Sequence, residues 1–116
     1  MITYAEMKAA LVRAVSERGY DFVYPEEWKG EEEGCLYRLP DGSPACIIGL
    51  AMSYLKPDAV LEEGRPARFS LRNYCEPRAI DLAVQVQWRQ DTRHSWGVAL
   101  GQSLADLGDS WTEYEP

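Results

Sequence analysis

The stretch that decides the fold is PDGSPACIIGLAMSYL, residues 40–55. It opens with Pro40-Asp41-Gly42, a strong turn signal, and continues as a nearly uninterrupted apolar segment. Ser43 followed by Pro44 is typical of a helix N-cap with proline at the first helical position. The stretch therefore predicts a helix that is apolar on almost every side, and this should be the most buried helix of the protein. A strand over residues 45–48, paired in a hairpin with residues 35–39, is the alternative interpretation.

Gly49 interrupts the predicted helix in its middle. A glycine there destabilises a helix by about 1 kcal/mol relative to alanine, because glycine loses more backbone conformational entropy when the helix forms. A close approach by the backbone of another element would explain the choice of glycine. We therefore expect some other segment to cross the helix at Gly49.

Three further segments carry clear signals around this stretch. Thr3 and Glu6 form a capping box, and apolar residues then recur on one face of a predicted helix over 4–18. Another helix is predicted to begin at Pro77, and a further one near Trp96, which Gly108 is expected to end. On the helix that begins at Pro77, the face expected to point inward consists of Ile80, Ala83, Val84, Gln87 and Trp88.

Short strands are predicted between the first helix and the apolar stretch. Aromatic residues alternate with others over residues 20–24, which is the period of a strand, and residues 35–39 form a second candidate. The segment between them is acidic and contains two glycines, as expected of a loop. The sequence therefore predicts an α+β fold in which three main helices pack with a two- or three-stranded antiparallel sheet. We expect one domain over residues 1–108 and an acidic aromatic tail over residues 109–116.

The charge of the chain is strongly acidic and unevenly distributed. The 116 residues include 19 acidic and 12 basic side chains, for a net charge of −7. Residues 26–33 and residues 106–115 each carry a charge of −4. This balance argues against a broad phosphate-binding face, so nucleic acid is disfavoured as a partner. Solvated acidic segments that aid solubility are the simplest interpretation, and an acidic surface for a basic partner is the alternative.

The cellular setting follows from features that the sequence lacks. No apolar run approaches the roughly 18 residues needed to span a membrane, and residues 1–6 do not resemble a signal peptide. Cysteines are odd in number, at three, which favours free thiols in a reducing compartment. These features together predict a cytoplasmic protein.

Sequence motifs for catalysis or cofactor binding are missing. The chain has no HExxH, EF-hand, phosphate-loop, GxGxxG or GxSxG motif, so we predict no catalytic residue, no cofactor and no enzyme activity. The alternative is a zinc or thiol site formed by Cys35, Cys46, Cys75 and His94. Their separations of 11, 29 and 19 residues match no common zinc-ligand spacing. Cysteines more often behave as small buried hydrophobic residues.

Aromatic residues inside the acidic segments are the best candidates for a binding site. Tyrosine and tryptophan are the residues most often found at binding hot spots, and acids beside them suit a basic, partly apolar protein surface. The candidate residues are Trp28, Glu31, Glu32, Glu33, Trp111 and Tyr114. The competing interpretation is that these aromatic side chains fold back over the domain itself. Arg65, Arg68 and Arg72, near Arg78, form either a small anion-binding patch or a balance to the acidic loop, and Pro66 argues against a shared helix face.

Two blocks of the sequence resemble a group of small proteins encoded by bacteriophages of actinobacteria and by related bacterial genomes. The first block is Cys35-x-Tyr37 with Asp41-Gly42-Ser43-Pro44-x-Cys46-Ile47-Ile48-Gly49, and the second is Gln87-x-x-Gln90-Asp91 with Trp96-Gly97-x-Ala99-Leu100. The group has no assigned activity, so the resemblance implies a setting and no mechanism. It favours one structural unit made by Cys35, Gly42, Pro44, Cys46, Gly49, Asp91 and Trp96.

The sequence as a whole therefore predicts a non-enzymatic protein-binding accessory factor, phage-encoded and acting in the host cytoplasm. Its expected partner is a host protein, such as an enzyme or a component of a defence system. We expect the protein itself to be a monomer or a homodimer.

Overall fold

The chain folds as a bundle of helices in the computed structural model, which describes residues 1–28 and 36–111. Five α-helices occur in these residues, and a single 3-10 turn spans Glu26–Trp28. The helices are α1 (Tyr4–Arg18), α2 (Ile47–Leu55), α3 (Ala67–Leu71), α4 (Pro77–Asp91) and α5 (Trp96–Asp106). Strand pairing in the described ranges is limited to two isolated bridges, Ile2 with Cys75 and Arg38 with Pro44. The predicted α+β class with a small sheet is therefore wrong, and the fold is predominantly helical.

The alternating aromatic segment over residues 20–24 begins in a turn at Tyr20 and Asp21, and it does not pair with a strand. Its carbonyl groups accept hydrogen bonds from the first turn of α5 instead, from Trp96 N to Phe22 O at 2.8 Å and from Gly97 N to Tyr20 O at 2.9 Å. The first N–H groups of a helix have no partner within the helix, so the carbonyl groups of another segment can satisfy them as well as they can satisfy a strand. This is why a strand-like pattern produced no sheet.

Residues 36–46 form a rudimentary hairpin around the predicted turn. Ala45 N donates to Tyr37 O at 2.9 Å, and Cys46 N donates to Leu36 O at 3.0 Å. Gly42 lies at a φ of +88°, a left-handed conformation that favours glycine. The alternative strand over residues 45–48 is wrong, because Ile47 and Ile48 belong to α2, and the backbone pairing ends at Cys46.

The start of α2 differs from the prediction. Pro44 lies in the bridge with Arg38, so the backbone is still extended at the position expected to begin the helix. Cys46 is the N-cap, and its sulfur accepts a hydrogen bond from Gly49 N at 3.3 Å. The predicted cap at Ser43 is therefore wrong, because the hairpin holds residues 43–45 in a strand-like conformation.

The other helix ends agree well with the sequence patterns. Thr3 and Glu6 form the predicted capping box of α1, and Pro77 occupies the first position of α4. Ser95 caps α5 by accepting a hydrogen bond from Val98 N. These signals are local, so they acted as expected even though the sheet did not form.

The core lies where α1 packs against α2 and α4, and α4 packs against α5. As predicted, α2 is the most apolar helix, with every residue from 47 to 52 buried. Gly49 permits the expected close approach, since a Cβ there would lie 2.9 Å from the carbonyl carbon of Tyr37 and closer still to its oxygen. Among the helices in residues 1–28 and 36–111, none is long and apolar enough to cross a bilayer.

Candidate functional site

Arg18, the last residue of α1, is the centre of an aromatic corner. Its guanidinium donates hydrogen bonds to the carbonyl oxygens of Pro44, at 2.6 Å, and of Ala45. It also lies 5.0–5.5 Å from the ring centroids of Phe22, Trp28 and Trp96. Burial lowers the pKa of Arg18 from its ordinary value, while nearby acidic groups, Glu17 first among them, oppose that shift. Arg18 thus ties the end of α1 to the backbone that leads into α2.

The rings around Arg18 also contact one another. Phe22 meets Trp96 edge to face, with centroids 4.7 Å apart, and Tyr24 meets Trp28 in the same manner at 5.7 Å. Trp96 is fully buried, whereas Trp28 is half-buried. Edge-to-face aromatic pairs contribute about 0.5–1.5 kcal/mol each beyond the area they bury. The corner is therefore a rigid base on which Trp28 is held near the surface.

Tyr24 connects the two described ends of the acidic segment. Its hydroxyl donates to the carbonyl oxygen of Trp28 at 2.7 Å and accepts from Leu36 N at 2.9 Å. One side chain therefore holds together the residues that precede and follow positions 29–35. Glu31, Glu32, Glu33 and Cys35, which were predicted as site residues, lie outside the described part of the chain.

Two acidic residues, Glu26 and Glu27, immediately precede Trp28 of the aromatic corner. Glu26 pairs with Arg93 at 2.7 Å, with both side chains more than half exposed, and Glu27 is exposed beside it. An exposed pair of this kind stabilises the fold by well under about 1 kcal/mol. Arg93 itself lies at a φ of +77°, a conformation that non-glycine residues adopt at some cost. The surface at this corner thus combines acidic side chains with the exposed part of Trp28.

The tail residue Trp111 packs on the domain rather than extending from it. Its side chain is only 8% exposed and its ring stacks on Tyr20, with centroids 5.9 Å apart. Asp109 anchors the same segment by accepting from the Tyr4 hydroxyl at 2.8 Å and from Lys8 Nζ at 3.1 Å. Burial and this hydrogen bond raise the pKa of Tyr4 to about 12. Trp111 is therefore not presented to a partner in this conformation, and Tyr114 lies outside the described residues.

The tryptophan exposed most among the described residues is Trp88, at 59%. The helical pattern placed it on the inner face of α4, but the buried residues of that helix are Ala79, Ile80, Leu82, Ala83, Val86, Gln87 and Gln90. Trp88 lies beyond the edge of that buried arc. The prediction for Trp88 is therefore wrong.

The alternative zinc or thiol site finds no cluster in the structure. Across the described ranges, no three His, Cys, Asp or Glu side chains are close enough to share a metal ion. Cys46 caps α2, and His94 Nδ1 lies 3.1 Å from the carbonyl oxygen of Arg89. Burial raises the pKa of Cys75 to about 11, which keeps that thiol protonated and unreactive at neutral pH.

Part of the expected structural unit is linked by Arg18 and Gln90, which connect Pro44, Asp91 and Trp96 with the start of α2. Cys35 lies outside the described residues. Gln90 is 2% exposed; its Oε1 accepts from Ile47 N, and its Nε2 donates to Asp91. Pro44 and Trp96 both contact Arg18. Sequence reasoning missed Arg18, because a basic residue in the last turn of a helix is usually a solvated partner of the helix dipole.

Comparison with known proteins adds no relative: no family model, no curated protein and no solved structure matches this chain.

Proposed function

We propose that this protein is a non-enzymatic, protein-binding accessory factor that presents its acidic segment, residues 26–33, to a basic protein partner. The resemblance to phage-encoded proteins supplies the proposed setting, which is the cytoplasm of a bacterial host. In that setting the partner is a host protein, such as an enzyme or a defence component. Arg18, Tyr24 and Trp28 support the segment, and its acids make the contact.

The observation that carries this proposal is the double hydrogen bond of the Tyr24 hydroxyl, which joins Trp28 to Leu36. Closing both ends of a segment reduces the conformational entropy that it loses when it binds. The acids of residues 26–33 are thus attached to a rigid aromatic base, whereas a purely solubilising segment needs no such attachment. This difference favours binding over solubility as the role of the segment.

The chemistry of the corner suits a partner rich in lysine and arginine. Several carboxylates close together in the chain accelerate encounter with a basic surface, and this attraction weakens as salt is added. The exposed part of Trp28 adds an aromatic contact at the edge of the same area. We therefore expect partner binding to depend both on the acids and on salt concentration.

The test compares two triple variants of equal net charge as baits in an actinobacterial lysate. The first replaces Glu31, Glu32 and Glu33 with glutamine. The control replaces three acids elsewhere, in Asp58→Asn, Glu62→Gln and Glu113→Gln. Basic proteins captured by the wild type should be lost from the first bait and retained by the control. Equal capture by both variants, or equal loss from both, would contradict the proposal.

A further inference from the structure

A second group of charged residues lies on and beside α3, outside the acidic segment of residues 26–33. Residues 64–75 contain three arginines and no acidic residue, in a chain whose net charge is −7. All three arginine side chains, of Arg65, Arg68 and Arg72, are exposed. This run therefore has the opposite sign to the protein as a whole, and solubility does not require it.

Phe69 brings two of these arginines together. The guanidinium carbon of Arg65 lies 4.3 Å from the centroid of the Phe69 ring, and that of Arg72 lies 3.9 Å from it. Arg65 precedes α3 and Pro66 is the N-cap of that helix, so the arginines do not share a continuous helix face. The ring, rather than the helix, arranges them.

Contact with an aromatic ring does not use the N–H donors of an arginine. A guanidinium that lies over an aromatic ring uses its flat face for the contact, while its N–H donors point outward in the plane of the group. Those donors match the two oxygens of a carboxylate. Because the side chains are already held by the ring, binding costs them less conformational entropy.

The arginines differ in how far neighbouring acids satisfy them. Arg65 pairs with Glu62 at 3.4 Å and Arg68 pairs with Asp81 at 3.2 Å, and all four side chains are well exposed. Such exposed pairs are weak and exchange readily for a better partner. Arg72 makes no ion pair with any residue in the described ranges, and its guanidinium contacts only Phe69 among the aromatic rings there.

We propose that Arg65 and Arg72, which contact Phe69, form a binding surface for a short carboxylate-rich segment of a protein partner together with Arg68 of α3. We call these four residues the arginine patch. None of these residues belongs to the acidic segment, residues 26–33, so the proposal does not depend on the proposed function above.

Charge around the arginine patch favours an acidic peptide over a nucleic acid. Glu62, Glu63, Glu76 and Asp81 flank the patch in sequence on both sides. A phosphate backbone that continued past the arginines would meet these carboxylates, and the net charge of −7 would repel it further. A short segment with a few carboxylates can instead bind within the patch.

The experiment measures binding of a fluorescein-labelled Glu- and Asp-rich peptide by fluorescence anisotropy at physiological salt. The wild type should bind it saturably, and Arg72→Gln should weaken binding about tenfold, the loss expected for one charge-assisted, bidentate contact. Phe69→Leu keeps the charge but removes the ring, and it should weaken binding roughly threefold to fivefold. Arg13→Gln is the matched control, because Arg13 is also exposed and stacked on a ring, that of Tyr54, but without a second arginine.

Several outcomes would overturn the proposal, once melting curves show that the variants are folded. Absence of saturable peptide binding would do so, and so would equal weakening by Arg13→Gln and Arg72→Gln, because that would reflect net charge alone. Unchanged binding in Phe69→Leu would remove the role assigned to the ring. Tighter binding of an oligothymidylate of equal charge would assign the patch to nucleic acid. Self-association that Arg72→Gln abolishes would assign it to a second copy of this chain.

Discussion

Replacement of Gly49 by alanine tests the packing on which the fold depends. In an isolated helix this change stabilises by about 1 kcal/mol. Here the new Cβ would lie 2.9 Å from the carbonyl carbon and 3.2 Å from the Cα of Tyr37, whereas ordinary contact begins at 3.4 Å. The obstacle is backbone rather than the end of a flexible side chain, so either the hairpin or α2 must move by roughly 1 Å.

Moving the backbone of Tyr37 away from α2 breaks specific hydrogen bonds to the residues that lead into that helix. Tyr37 O accepts from Ala45 N, and Leu36 O accepts from Cys46 N, at the point where the chain enters α2. Overpacking costs about 1–3 kcal/mol, and each buried group left without a partner costs about another 1–3 kcal/mol. After the gain in helix propensity is subtracted, we expect Gly49→Ala to lower the free energy of unfolding by about 1–5 kcal/mol.

The assay is urea denaturation followed by circular dichroism, with Gly101→Ala as the matched control. Gly101 also lies in a helix, but its Cβ would sit 3.8 Å from the Trp111 ring, an ordinary contact. The control should therefore be neutral or more stable by up to about 1 kcal/mol. For a chain of this size, the loss in Gly49→Ala corresponds to a fall in Tm of about 4–20 °C. A Gly49→Ala protein as stable as the wild type would refute the argument from backbone contact.

Three further predictions concern the corner, the tail and the exposed surface. Tyr24→Phe keeps the ring but removes the hydroxyl that joins the two ends of the acidic segment, so it should cost about 1–2 kcal/mol and accelerate amide hydrogen exchange at Leu36; unchanged exchange there would contradict the link. Hydrogen bonds lower the pKa of Asp109, and the largest cause is the bond from the Ser110 backbone. The ionised carboxylate therefore stabilises the folded protein above the ordinary pKa of 3.8, and this stabilisation is lost as the pH falls through the lowered pKa of the folded protein. The indole NMR signal of Trp111 should accordingly stay constant from about pH 8 to pH 5 and shift in stronger acid, and a shift of the same size in Asp109→Asn would exclude Asp109 as the cause. Trp88→Gln should change the free energy of unfolding by less than about 0.5 kcal/mol in the same urea assay, because the side chain is mostly exposed, and a loss above about 2 kcal/mol would show that it is buried.

The parts of the fold that were predictable are those set by local contacts. The capping box of α1 and the proline that opens α4 act between residues a few positions apart, and those helices begin where the patterns indicate. The burial of α2 was likewise predictable, because a segment apolar on every side must be enclosed. Gly49 correctly indicated a close backbone approach, although the pattern did not show that Tyr37 makes it.

The predicted sheet did not form because the carbonyl groups of an alternating aromatic segment can accept hydrogen bonds from partners other than a strand. Residues 20–24 bond to the first turn of α5, a segment more than 70 positions away in the chain. Nothing in an alternating pattern distinguishes a neighbouring strand from the N-terminus of a helix, since both provide N–H groups. The prediction that Trp88 is buried was wrong for a related reason. A helical period shows which residues share a face, but it does not show how much of that face neighbouring elements cover.

The sequence by itself determined the starts of α1 and α4, the acidic charge of residues 26–33 and the sign reversal around α3, since these are properties of composition and short-range spacing. Tertiary structure alone decided that Arg18 holds the entry to α2, that Tyr24 joins Trp28 to Leu36, and that Phe69 sets two arginines on one ring. The physical reason is that hydrogen bonds and ring contacts depend on distances of a few ångströms between side chains, and those distances are set only when the helices pack.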